Sequence, residues 1–122
     1  MAENGFGDLV RGNLDLWVLS ALADGPKYGY LIQQRLALAT GGAVEVQAGT
    51  LYPLLHRLEA ERLVRCRWEQ ETGRRRKWYD LTPAGRRRLE QQARKWQAYA
   101  AALRRILDPV LEGGLGAWEG AT

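Results

Sequence analysis

The apolar residues change their repeat partway along the chain, and that change limits the folds open to it. Leu14, Trp17, Val18, Ala21 and Leu22 recur at helical spacing up to Gly25-Pro26. Tyr28, Leu31, Ile32 and Leu36 do the same before Gly41-Gly42, as do Leu51, Leu54, Leu55 and Leu58 in a segment running to about Arg62. From Val64 the period drops to two, with Val64, Cys66 and Trp68 on one side and Arg65, Arg67 and Glu69 on the other. Glu71-Thr72-Gly73 reads as a turn. The return run alternates Arg75, Lys77, Tyr79 and Leu81 with Arg74, Arg76, Trp78 and Asp80, so the pair predicts a β-hairpin with a basic tip.

Thr82-Pro83 opens a last helix, threonine as cap and proline at the first helical position, where its missing donor costs nothing. Along it Leu89, Ala93, Trp96, Ala100, Leu103 and Leu107 recur in alternating steps of four and three, a coiled-coil seam sustained to Asp108-Pro109. At about 1.5 Å per residue such a helix reaches roughly 40 Å, more than a domain of this size covers, so the seam predicts a second copy of the chain. The expected fold is mainly α with a small antiparallel β-hairpin: a winged helix-turn-helix over 9–81 and a long C-terminal dimerisation helix over 82–108. Residues 109–122 are expected to be a flexible tail, with Leu115 and Trp118 as its apolar members. Pro53 leaves two forms open for the third helix, a short one capped by Thr50 or a longer one that bends.

Charge is unevenly placed. The net charge is +4, but Arg65 to Arg88 carry nine basic residues against three acids, while residues 1–24 carry four acids against one arginine. A localised basic patch is the footprint of a polyanionic partner. One cysteine, Cys66, and one histidine, His56, give no disulfide and no metal cluster, so neither metal nor cofactor is expected. No nucleophile with a base, paired acids or phosphate-cradling loop argues for an enzyme. No run of about 20 apolar residues is present to cross a membrane, and a cytoplasmic location is expected.

Three helices followed by a basic hairpin is the order of a winged helix-turn-helix, in which the third helix enters the major groove and the hairpin meets the backbone. The outward side of that helix carries Thr50, Tyr52, Pro53, His56 and Arg57, and the hairpin tip carries Arg74, Arg75, Arg76 and Lys77. YGYLIQQ, GTLYPLLHRLEAERLV and GRRRKWYDLTPAG resemble the PadR family of transcriptional regulators in order and spacing over roughly Leu14 to Leu107, in particular its short-form members. Arg62 departs from the glycine usual there. The resemblance implies a homodimer on a palindromic operator in double-stranded DNA, usually repressing. It places Tyr28, Thr50, Tyr52, Pro53 and Arg57 on the DNA-binding motifs and Arg74, Arg75 and Lys77 on the wing. It also implies release by a small aromatic or cationic hydrophobic effector stacked at Trp96, with Asp15 and Trp17 completing the pocket.

Several positions have a plainer reading. Tyr52 fits either the core against the second helix or DNA. Arg86, Arg87 and Arg88 fit a solvated face as well as a phosphate contact. Trp96 fits interface packing without a ligand, and Asp15 fits the acidic first turns of a helix. A winged-helix module that contacts proteins without reading DNA is the alternative function.

Overall fold

The computed structural model describes residues 7–114. In chain order the elements are α1 (Gly7–Gly12), α2 (Leu14–Ala21), α3 (Gly29–Ala39), α4 (Ala48–Ala60), β1 (Val64–Glu71), β2 (Arg74–Leu81) and α5 (Pro83–Gly113). Leu115 and Trp118 lie outside the described residues. The chain divides into a compact unit through Leu89 and a second beginning at Glu90.

In the first unit the three predicted helical stripes point inward. Val18, Leu19, Leu22, Ile32, Leu51, Leu55 and Leu58 are fully buried and meet Val64, Tyr79 and Leu81 at the base of the hairpin. Burying each such side chain is worth about 1.5–3 kcal/mol, so this cluster sets the position of everything mounted on it. Val44 and Val46, in the loop before α4, complete the core, and Gln33 Nε2 holds that loop by donating to the Val46 carbonyl at 2.8 Å. The six-residue α1 buries only Val10, too little to leave a periodic signal.

α4 begins at Ala48, so of the two forms left open for it the longer one is present. Gln47 stands at its N-terminus and Thr50 lies inside the helix, so Thr50 is not the cap. Pro53 also lies inside and forfeits one bond to the Gly49 carbonyl; both residues are exposed, which leaves that carbonyl to solvent.

The hairpin is antiparallel with Val64 opposite Leu81 and Glu71 opposite Arg74. Thr72 and Gly73 alone connect the strands, with φ of 42° and 76°, a two-residue turn with both residues left-handed that matches the strand twist. The alternation of burial holds near the base, over Val64 to Arg67 and Tyr79 to Leu81, and then stops: Trp68, expected on the half-buried side, is 54% exposed. The hairpin projects past the core, so its inner face is inner only near the base. Lys27 adds a bridge on the other edge of β2, exchanging backbone bonds with Tyr79 at 3.0 and 2.9 Å.

α4 ends in a Schellman motif. Arg62 N–H donates to the Glu59 carbonyl and Leu63 N–H to the Leu58 carbonyl, both at 2.9 Å, which places Arg62 at φ 61°. Thr82 closes the junction: its Oγ1 donates to the Arg62 carbonyl at 2.7 Å, its N–H donates to the Leu63 carbonyl at 3.1 Å, and its Oγ1 accepts from Gly85 N–H at 3.0 Å. Thr82 is thus the cap of α5 as expected. Gly85 is required because a Cβ there would stand 2.0 Å from the Leu63 carbonyl oxygen.

α5 runs one turn beyond the expected stop. Pro109 lies inside it, and Gly114, at φ 68°, ends it. An exposed helix accommodates a proline whose lost bond falls to solvent. Leu89, the first residue of the predicted seam, is half-buried against the core of the first unit. In the second unit Trp96 and Ala100 are half-buried, while Ala93, Leu103 and Leu107 are exposed, as are Tyr99, Ile106 and Leu111.

A left-handed arginine is strained by about 1–2 kcal/mol, and glycine gives back part of that relief through its larger unfolded-state entropy. Arg62→Gly is therefore expected to raise stability by about 0.5–1 kcal/mol in urea unfolding. An unchanged or lowered midpoint contradicts this account of the α4 terminus.

Candidate nucleic-acid interface

Thr50, Tyr52, Pro53, His56 and Arg57 all stand on the exposed face of α4, because Leu51, Leu54, Leu55 and Leu58 take its other face into the core. Tyr52 packs on α3 and also stays partly open to solvent. It is 41% exposed, yet its hydroxyl packs so closely on α3 that a Cβ at Gly29 would lie 2.2 Å from it. Gly29 is what lets the Tyr52 ring lie against the backbone of α3.

Tyr28 precedes α3 and turns its ring toward the wing. It meets Trp78 edge to face, centroids 5.0 Å apart, and the Arg76 guanidinium lies 4.3 Å from its centroid. Arg75 lies 4.4 Å over Trp68, and Arg67 is 5.8 Å from Trp78. Stacking a guanidinium on a ring uses its flat face and leaves its in-plane N–H donors pointing outward. Arg75 and Arg76 are thus held in place without being neutralised, which suits them to a polyanion.

These groups enclose a cleft of about 410 Å³ lined by Tyr28, Gly29, Tyr30, Tyr52, Trp68 and the run Arg74 to Lys77. None of these lining residues is acidic. The structure therefore brings Tyr28 to Tyr30 at the start of α3 and Tyr52 of α4 to the wing, while Thr50, Pro53, His56 and Arg57 lie outside this lining. Tyr30 and Trp68 were missed as site residues: Trp68 reads as core by alternation, whereas Tyr30, a large aromatic on the polar side of its helix, carried a usable signal.

Five of the predicted site residues make contacts within the chain. Lys77 is half-buried and ion-paired with Glu59 of α4 at 3.1 Å, so its charge is less available than that of its three neighbours. Arg57 is ion-paired with Asp15 of α2 and with Glu61. Asp15 thus binds a side chain of α4, and Trp17 packs against the core with its Nε1 buried. Trp96 belongs to the second unit, where it meets Tyr99 edge to face at 5.5 Å. Among the described residues no three His, Cys, Asp or Glu side chains are grouped to hold a metal, and no helix is long and apolar enough to cross a membrane.

Three core helices, a two-stranded hairpin and a groove between them lined with cations and aromatics define a winged helix-turn-helix protein. Residues 18–91, more than half of the chain, match the family model described as the transcriptional regulator PadR-like family. The chain belongs to that family. It is 37% identical over 93 residues to the transcriptional regulator Rv3488 of Mycobacterium tuberculosis, covering 76% of this chain and 84% of that protein. Among solved structures it is similar to a PadR family transcriptional regulator from Eggerthella lenta, with a TM-score of 0.72 and 34% identity over 85% of this chain and 89% of that one. A transcriptional regulator from Clostridium thermocellum gives a TM-score of 0.74 at 29% identity, over 82% and 98% of the two chains.

At the base of the wing, burial first and then a hydrogen bond to Glu59 push the Cys66 thiol up to about 11. The Lys77 hydrogen bond holds Glu59 below the usual carboxylate range and raises Lys77 in return. The rise at Cys66 to about 11, from an ordinary value of 9.0, reduces its thiolate near neutral pH about a hundredfold. Below pH 9 native Cys66 should therefore react with iodoacetamide at least tenfold more slowly than in the urea-unfolded chain. Equal rates in the two states contradict the placement of the thiol.

Proposed function

We propose that the chain is a sequence-specific DNA-binding regulator that acts in the cytoplasm as a homodimer and represses transcription at a palindromic operator. Each protomer lays the exposed face of α4 in a major groove, so that Thr50, Tyr52, Pro53, His56 and Arg57 face base edges or adjoining backbone. Arg74, Arg75 and Arg76 of the wing, with Tyr28 beside them, take flanking phosphates, and Lys77 contributes less because Glu59 shares its charge. The single observation that carries this reading is the cleft in which Tyr52 of α4 meets the wing run Arg74 to Lys77, with no acid in its lining. A protein-docking module needs no such concentration of one sign.

The dimer reading rests on α5. Trp96, Ala100, Leu103 and Leu107 follow the seam spacing, and Leu103 and Leu107 are 40% and 41% exposed in the single chain. A second copy buries these side chains and sets two recognition helices about 34–36 Å apart, one turn of duplex. Release by a small aromatic or cationic effector follows from the family resemblance, with the Trp96–Tyr99 pair as its stacking surface; such an effector acts only through its different affinity for the free and DNA-bound forms.

The test is selection from a random duplex library at two salt concentrations, with the mass of the free protein measured by sedimentation. An enriched palindrome bound by a dimer is expected. Arg74→Ala with Arg75→Ala should weaken binding to every duplex and flatten the log-affinity against log-salt slope by about two, leaving base preference intact. No enrichment and no salt dependence would favour the protein-contact module.

A further inference from the structure

Arg57 stands on the reading face of α4, yet its charge is engaged. Its Nη2 donates to Asp15 Oδ1 at 2.5 Å and its Nη1 to Glu61 Oε2 at 3.0 Å. The two partners differ in kind. Glu61 is exposed and four residues along the same helix, a pair that forms and breaks readily. Asp15 comes from α2, is half-buried, and meets Arg57 only because the core fixes α2 against α4. The packing of α2 is done by Trp17, Val18 and Leu19, and requires no acid at position 15. The consequence of the acid is electrostatic: hydrogen bonds to Asp15, first, and to Glu61 raise the Arg57 guanidinium above its ordinary value. The wing offers the opposite arrangement, with Arg75 and Arg76 resting on aromatic rings.

We propose that Asp15 is a specificity-determining residue: by holding Arg57 in an ion pair it withdraws one cation of the reading helix from the phosphate field. Resting on the DNA-binding reading above, the argument concerns the balance between two kinds of contact. Affinity for any sequence grows with each phosphate that a free cation neutralises. A guanidinium that must leave two carboxylates to reach one phosphate exchanges one charge-assisted contact for another and gains little. A base edge presenting two acceptors in the plane of the guanidinium offers a better exchange, so Arg57 is recruited by the right base and held back elsewhere.

Asp15→Asn keeps the shape of the side chain and removes its charge. Anisotropy titrations on mixed-sequence duplexes over a range of salt would compare wild type, Asp15→Asn, Arg57→Ala and the double variant, each checked by thermal unfolding. Asp15→Asn is expected to bind non-cognate duplex several-fold more tightly than wild type, with a salt slope steeper by about one. In the Arg57→Ala background the same change should alter neither. Glu61→Gln should act in the same direction and less. Affinity and slope equal to or below wild type for Asp15→Asn overturn the proposal, as does an equal gain in the Arg57→Ala background, which marks a general charge effect. Wild-type protein without salt-dependent binding would remove the DNA-binding reading itself, and this proposal with it.

Discussion

Thr82 makes three hydrogen bonds where α4 ends, the wing begins and α5 starts. Its hydroxyl donates to the Arg62 carbonyl and accepts from Gly85 N–H, and its backbone N–H donates to the Leu63 carbonyl. Each satisfies a group that a helix end would otherwise leave unpaired: the carbonyls after α4 and the first amides of α5. Because the approach is close enough to exclude a Cβ at residue 85, the start of α5 and the end of α4 have little freedom to shift against one another. The wing springs from the same junction, with Val64 and Leu81 buried beside it. The orientation of the hairpin relative to the exposed face of α4 therefore depends on a few backbone bonds backed by a continuous apolar core.

Upon that frame the charges fall into two groups. Arg75 and Arg76 are positioned by rings, which fix the side chain and leave the charge unspent. Lys77 and Arg57 are positioned by carboxylates, which fix the side chain and spend it. Both groups arise in the first unit, from residues that composition alone counts identically. A polyanion meets the first group at full strength and the second only by displacing an acid. The net charge of +4 consequently says less about binding than the identity of the partner each cation keeps.

Legibility in the sequence followed the range of the interaction. The stripes of Leu14 to Leu22, Tyr28 to Leu36 and Leu51 to Leu58, the hairpin about Thr72-Gly73, and the Thr82-Pro83 start were readable because local chain geometry and one buried face decide them. The same local rules placed Thr50, Tyr52, Pro53, His56 and Arg57 on one exposed face. Where a local rule met a solvent-exposed position it stopped predicting: Pro53 and Pro109 lie inside helices because the bond each removes can be made to water. Trp68 follows the alternation and is exposed nonetheless, since alternation assigns a face and cannot say how far the core extends beneath it.

By itself the sequence determined the order and kind of the elements from α2 onward, the inner face of each, and the basic character of the wing, all set by periodicity, caps and composition over neighbouring residues. Only the tertiary structure decided which cations remain available. The pairs Arg57 with Asp15 and Lys77 with Glu59, the rings under Arg75 and Arg76, and the seat of Tyr52 against Gly29 are contacts between different elements. Most join residues far apart in the chain, and all depend on packing distances that no local pattern encodes. A side chain's reach is a few ångströms, so its partner is fixed by where the core sets the next helix or strand.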